Sequence, residues 1–183
     1  MTVDHAEFTA MRRASAKDYE IILRHERDFL AGLPDRILAG VGALAGSTGG
    51  YAVSRLAHSL QSATRAERDG RGDDYVAACL VHDIGDFIAP YHHGALAAAV
   101  LRGFVSKELL WIVEHHPVFQ LYYYGKHVGA DPDSRERYRG HRWFDSTIEF
   151  CEKYDENCFD PGYESLPLEH FEPLVRRVFA RPQ

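Results

Sequence analysis

Apolar residues recur at three- and four-residue spacings along most of the chain, the repeat that puts side chains on one face of a helix. Asp18 to Leu30 sets Tyr19, Ile22, Leu23 and Phe29 on such a stripe, and Pro34 opens a second apolar segment, Ile37 to Leu44. Residues 45–50, Ala-Gly-Ser-Thr-Gly-Gly, favour a loop. A helix is predicted from Val53 to Asp69, closed by Gly70 and Gly72. Asp73 and Asp74 are suited to cap the next helix, which carries the unbroken apolar run VAACLV before His82. Ser106, Glu108 and the run LLWIV predict a capped helix that stops near Pro117. The charged run DPDSRERYRGHR leads into a helix through Phe150 and Tyr154, and LPLEHFEPLVRRVF makes a C-terminal helix interrupted near Pro173. No segment of convincing length alternates as a strand does. The pattern predicts an all-α bundle of about seven or eight helices. Residues 1–45 are expected to form an N-terminal helical extension or lid, and residues 46–183 the main domain.

Composition narrows the setting. The chain has 183 residues, 45% hydrophobic and 26% charged, enough to build one core and too little for two large domains. Its net charge of −6 argues against nucleic acid or an anionic membrane as partner, because both call for clustered positive charge. Three cysteines, Cys79, Cys151 and Cys158, suit reduced thiols better than a disulfide framework. The N-terminal run MTVDHAEFTAMRR has neither an apolar core nor a cleavage signal, and the expected location is cytoplasmic.

The distribution of 11 histidines carries the chemistry. His82-Asp83 follows the buried-looking run Val76 to Val81, where a carboxylate is costly unless paired or coordinated. His58 sits on the preceding helix, the doublets His92-His93 and His115-His116 lie beside helix boundaries, and Asp155 ends a later helix. Imidazoles and carboxylates are ligands that iron, manganese and zinc accept, and a bridging carboxylate holds two such ions about 3.5–4 Å apart. The series points to a dinuclear site inside a helical bundle.

His58, His82-Asp83 and Asp155 resemble the H…HD…D signature of the HD-domain superfamily, whose plain members are metal-dependent phosphohydrolases. With the intervening histidines the pattern is similar to that of the mixed-valent diiron oxygenases, the group of myo-inositol oxygenase and the C–P-cleaving phosphonate oxygenases. The strings LAHSLQSA, LVHDIG, HHGALAAAVLRGF and EFCEKYDENCFDPGYESLPLEHFEPLVRRVF look most like HD proteins of phosphonate degradation, a likeness running from about Tyr51 to Phe179. The resemblance implies an HD-domain helical bundle with two irons, Fe(II)/Fe(III), and dioxygen as co-substrate. One iron would be held by His58, His82, Asp83 and Asp155, the other by His93 and His116, with Asp83 as the bridging, catalytically central ligand. His92 and His115 then become neighbours of the site, His115 as a substrate contact.

The resemblance also implies a small organophosphonate as partner and oxidative cleavage of the C–P bond of a 1-hydroxyphosphonate. Where many relatives carry lysine after HDxG, this chain has Asp86; where the aminoethylphosphonate-type oxygenase carries cations, it has Gln120 and Glu152. The cations left for the phosphonate are Lys126, His127, Arg142 and Arg55. Tyr51 stands where that enzyme has a glutamate for the substrate ammonium, and Phe119, Tyr122, Tyr123 and Tyr124 follow His116 closely. Aromatic faces suit a quaternary ammonium, worth about 0.5–2 kcal/mol per face. The expected substrate is (R)-1-hydroxy-2-(trimethylammonio)ethylphosphonate, giving glycine betaine and phosphate. The alternative is an HD phosphohydrolase acting on a nucleotide or phosphate monoester.

Overall fold

The computed structural model describes residues 4–180. Among them are eight α-helices joined by loops and short 3-10 turns, with no strand. Helix α1 spans Ala16–Ala31, α2 Leu33–Ala43, α3 Arg55–Arg68 and α4 Asp73–Val81. Helix α5 spans His93–Leu101, α6 Lys107–Tyr124, α7 Phe144–Tyr154 and α8 Leu168–Phe179. No single helix among the described residues is long and apolar enough to cross a membrane.

Local chemistry sets the boundaries. Ser15 caps α1 in a reciprocal box with Asp18, and Ser54 and Ser106 each accept a backbone N–H three residues on, at 3.1 and 3.2 Å. Gly72, not Asp73, takes the cap position of α4, which leaves Asp73 and Asp74 in its first turn, where their charge favours the helix dipole. Pro117 does not end α6. It lies inside an 18-residue helix, and Pro173 lies inside α8.

Helix α4 is the centre. Every residue from Val76 to Val81 is buried, the expected outcome for a helix that is apolar all round. It packs against α3, α6 and α8; α5 packs on α6, α6 on α7, and α2 on α8. The expected division at 45/46 cuts across this packing, because Ile37, Val41 and Leu44 are buried with the core. Only α1 stands aside: Ile21 is its one buried residue, and Leu23, Phe29 and Leu30 are more than half exposed.

Two glycines allow the approaches that build the site. A Cβ on Gly85 would stand 2.5 Å from the Cα of His93 and 2.6 Å from its carbonyl oxygen, so only glycine lets the turn after Asp83 lie against the start of α5. A Cβ on Gly94 would stand 2.9 Å from the Val113 carbonyl oxygen and 3.0 Å from the Pro117 ring, so glycine also brings α5 onto α6.

Candidate metal centre

Five helices deliver six side chains to one place. His58 comes from α3, His82 and Asp83 from the end of α4, His93 from the first residue of α5, His116 from the middle of α6, and Asp155 from the end of α7. His58 Nε2 lies 3.1 Å from His82 Nε2, 3.5 Å from Asp83 Oδ2 and 3.3 Å from Asp155 Oδ1. His82 Nε2 lies 3.5 Å from Asp83 Oδ2 and 3.8 Å from Asp155 Oδ1. The other oxygen of Asp83, Oδ1, lies 3.5 Å from His93 Nε2 and 3.3 Å from His116 Nε2. Asp83 therefore faces one histidine pair with each oxygen.

Backbone carbonyls decide which nitrogen of each ring is free. The Nδ1–H of His58 donates to the Cys158 carbonyl at 3.2 Å, and that of His82 to Cys79 at 2.7 Å. His93 Nδ1–H donates to Pro90 at 3.1 Å, and His116 Nδ1–H to Val113 at 2.7 Å. A carbonyl can only accept, so each Nδ1 holds the proton and each Nε2 turns a lone pair inward. For His116 the acceptor exists because of its neighbour: Pro117 has no N–H to give the Val113 carbonyl, and the imidazole takes the place of that missing donor.

The result is a cluster of acceptors with no donor among them. Two bare nitrogens 3.1 Å apart, facing carboxylate oxygens, repel unless a cation or protons lie between them. Asp155 Oδ2 is buried without a hydrogen-bond partner. Two donors that each sit about 2.0–2.2 Å from one ion are separated by about 3.0–3.5 Å, the spacing seen here. His58, His82 and Asp155 stand close enough together to hold one ion, and His82, Asp83 and His116 a neighbouring one, with His93 Nε2 3.5 Å from Asp83 Oδ1 beside the second. Electrostatics agree. Burial opposes charge on His82, but Asp83 and Asp155 outweigh it and its pKa is pushed up to about 9. Burial likewise opposes ionisation of Asp83 and Asp155, yet the facing imidazoles hold both below the usual carboxylate range.

A cavity of about 430 Å³ opens over this cluster. Tyr51 lines it, as do Phe159, Tyr123 and Tyr124. Tyr51 stacks on Phe159 at 4.7 Å, and Phe159 on His58 at 4.5 Å. Of the basic residues expected at the anion end, Arg55 lines the cavity; Lys126, His127 and Arg142 do not, being exposed elsewhere, with Arg142 over the Trp143 ring. His115 is likewise outside: its ring stacks on Trp111 at 4.2 Å and its Nδ1–H donates to the Trp111 carbonyl. Phe119 is fully buried against Trp111 and Phe144, and Tyr122 lies outside under the Arg135 guanidinium. His92 is exposed, while His93 faces Asp83. Among the described residues none before Tyr51 lines the cavity, so the described part of the segment expected to act as a lid takes no part in its wall.

The displacements of Phe119 and Tyr122 have one cause. Because α6 continues through Pro117, the residues one and two turns beyond His116, namely Gln120 and Tyr123, share its face, while Phe119 and Tyr122 turn away. Gln120 is buried, lines the cavity, and its Nε2 has no hydrogen-bond partner. Helical spacing counted across the proline would have found it. Glu156 also lines the cavity, and Phe159 forms its aromatic wall; both lie past the end of α7, where no periodicity orients a side chain. The chain matches no protein-family model and no curated protein at a significant level.

Proposed function

We propose that the chain is a non-heme diiron oxygenase of HD-domain type that cleaves the C–P bond of a 1-hydroxyphosphonate. The single observation that carries this reading is Asp83 with one oxygen toward each histidine pair, the arrangement two ions need and one does not. An iron pair, when bound, supplies a Lewis acid for the substrate hydroxyl and the electrons that activate dioxygen. His58, His82 and Asp155 hold one position, His93 and His116 the other, and Asp83 keeps their spacing. Gln120 Nε2 offers a free donor to a substrate oxygen. Tyr51, Phe159 and Tyr124 surround the cationic end of the substrate with ring faces, and Glu156 adds a carboxylate to the same wall. The preferred substrate is 1-hydroxy-2-(trimethylammonio)ethylphosphonate, which with one dioxygen gives glycine betaine and phosphate in balance. A cytoplasmic setting suits the three cysteines, all unpaired and buried.

The test is elemental analysis of the purified chain together with oxygen uptake. About two irons per chain and phosphate released in step with oxygen consumed are expected, with the trimethylated substrate preferred over the primary amine. Anaerobic release of phosphate from monoesters, with zinc or magnesium as the native metal, would assign the site to a phosphohydrolase instead.

A further inference from the structure

The cavity wall is acidic on balance. Asp83, Asp86, Asp155 and Glu156 line it against a single guanidinium, that of Arg55. Ions held by the histidine–aspartate cluster would invert that balance, and Arg55 is then the one lining side chain able to offer an anion a fork of two donors. Arg55 lies one helical turn before His58 on α3, so both project to the same side. Its guanidinium is not idle. It forms an ion pair with Asp86, whose side chain is 7% exposed. The second Asp86 oxygen, Oδ1, lies 3.3 Å from His93 Nδ1. On the other side the loop at Gly49, in the left-handed region at φ 58°, lies so close that a Cβ there would stand 3.0 Å from the guanidinium.

We propose that Arg55 receives the acid group of the cavity's occupant and that Asp86 is its resting partner, exchanged for that group on binding. The inference rests on the reading above only in taking the occupant to be an acid. The Arg55 side chain is half-buried, 32% exposed, and Asp86 holds the guanidinium in place and balances its charge while the cavity waits. When an acid arrives, Asp86 Oδ1 still lies 3.3 Å from His93 Nδ1, whose proton it can share with the Pro90 carbonyl. Asp86 therefore competes with the ligand, and removing its charge should strengthen ligand binding. A residue that merely supports the fold would do the opposite.

The probe is methylphosphonate, titrated calorimetrically into the metal-loaded full chain, with metal content matched between variants. Arg55→Gln is expected to weaken binding at least about tenfold, and Asp86→Asn to tighten it about threefold or more. Choline, a cation with no acid group, should bind Arg55→Gln as it binds the wild type. If the glutamine variant does not fold, Arg55→Lys keeps the charge but loses the fork and should still weaken the anion severalfold. Unchanged affinity in the arginine variants would mean that the metals alone hold the anion, and overturns the proposal. Asp86→Asn that binds methylphosphonate more weakly, or sheds the ion at His93, overturns it too, because Asp86 would then be a prop for His93. Tight binding without any oxygen uptake on hydroxyphosphonates would refute the oxygenase and leave this subsite standing.

Discussion

Asp83 divides its two oxygens between two histidine pairs, and the whole centre depends on that division. Replacing Asp83 by Ala should drop the metal content of the purified chain below one ion, because each position loses a carboxylate and the two positions lose their common reference. Replacing His93 or His116 should remove one ion and spare the other. His92→Ala and His115→Ala should keep both, since His92 is exposed and His115 is bonded to Trp111. Elemental analysis per chain decides: an Asp83→Ala chain that retains two ions would end the bridging assignment. All six donors were legible in the sequence as residue types, and four of them, His82, Asp83, His93 and Asp155, lie at or just past a helix end. Choosing His93 and His116 within the doublets rested on the family resemblance and not on the pattern, because adjacent residues on a helix point about 100° apart and only the packing says which direction is inward.

Helix α6 shows how much of the elements could be read and where reading stopped. The apolar run of α4, the serine caps and the loop before α3 announce themselves through composition and spacing. Pro117 misleads because a proline inside a helix is costly in general, and here that cost is offset: the carbonyl it leaves without a donor accepts the His116 proton instead. The same misreading turned Phe119 and Tyr122 toward the cavity and hid Gln120. Pro117→Ala should restore an N–H that competes for the Val113 carbonyl and loosen the imidazole. Helix propensity favours the variant, by up to about 3 kcal/mol, so thermal stability should hold or rise, while metal affinity at the His93–His116 position falls about tenfold. A metal titration beside a melting curve checks this. Loss of both together would mean that the proline acts through its contact with Gly94 alone.

At the scale of the whole molecule, the fold gathers six buried or half-buried metal donors and must hold them together whether ions are bound or not. Without metal, protons take that role. The His82 pKa is raised to about 9 from an ordinary 6.5, so its stabilising contribution is complete below pH 6.5 and is lost as pH climbs through 9. The carboxylates of Asp83 and Asp155 are held down instead, so their contribution is present above the ordinary carboxylate range and lost as pH falls. Metal-stripped protein should therefore be most stable between about pH 4 and 6.5 and weaken toward pH 9. In loaded protein the ion replaces the proton, so alkaline pH removes nothing and acid pH expels the metal. Melting temperatures measured from pH 5 to 9, with and without a chelator, should diverge as pH rises. Parallel curves would mean that the cluster binds no metal strongly enough to displace its protons, and the dinuclear centre would fall with them.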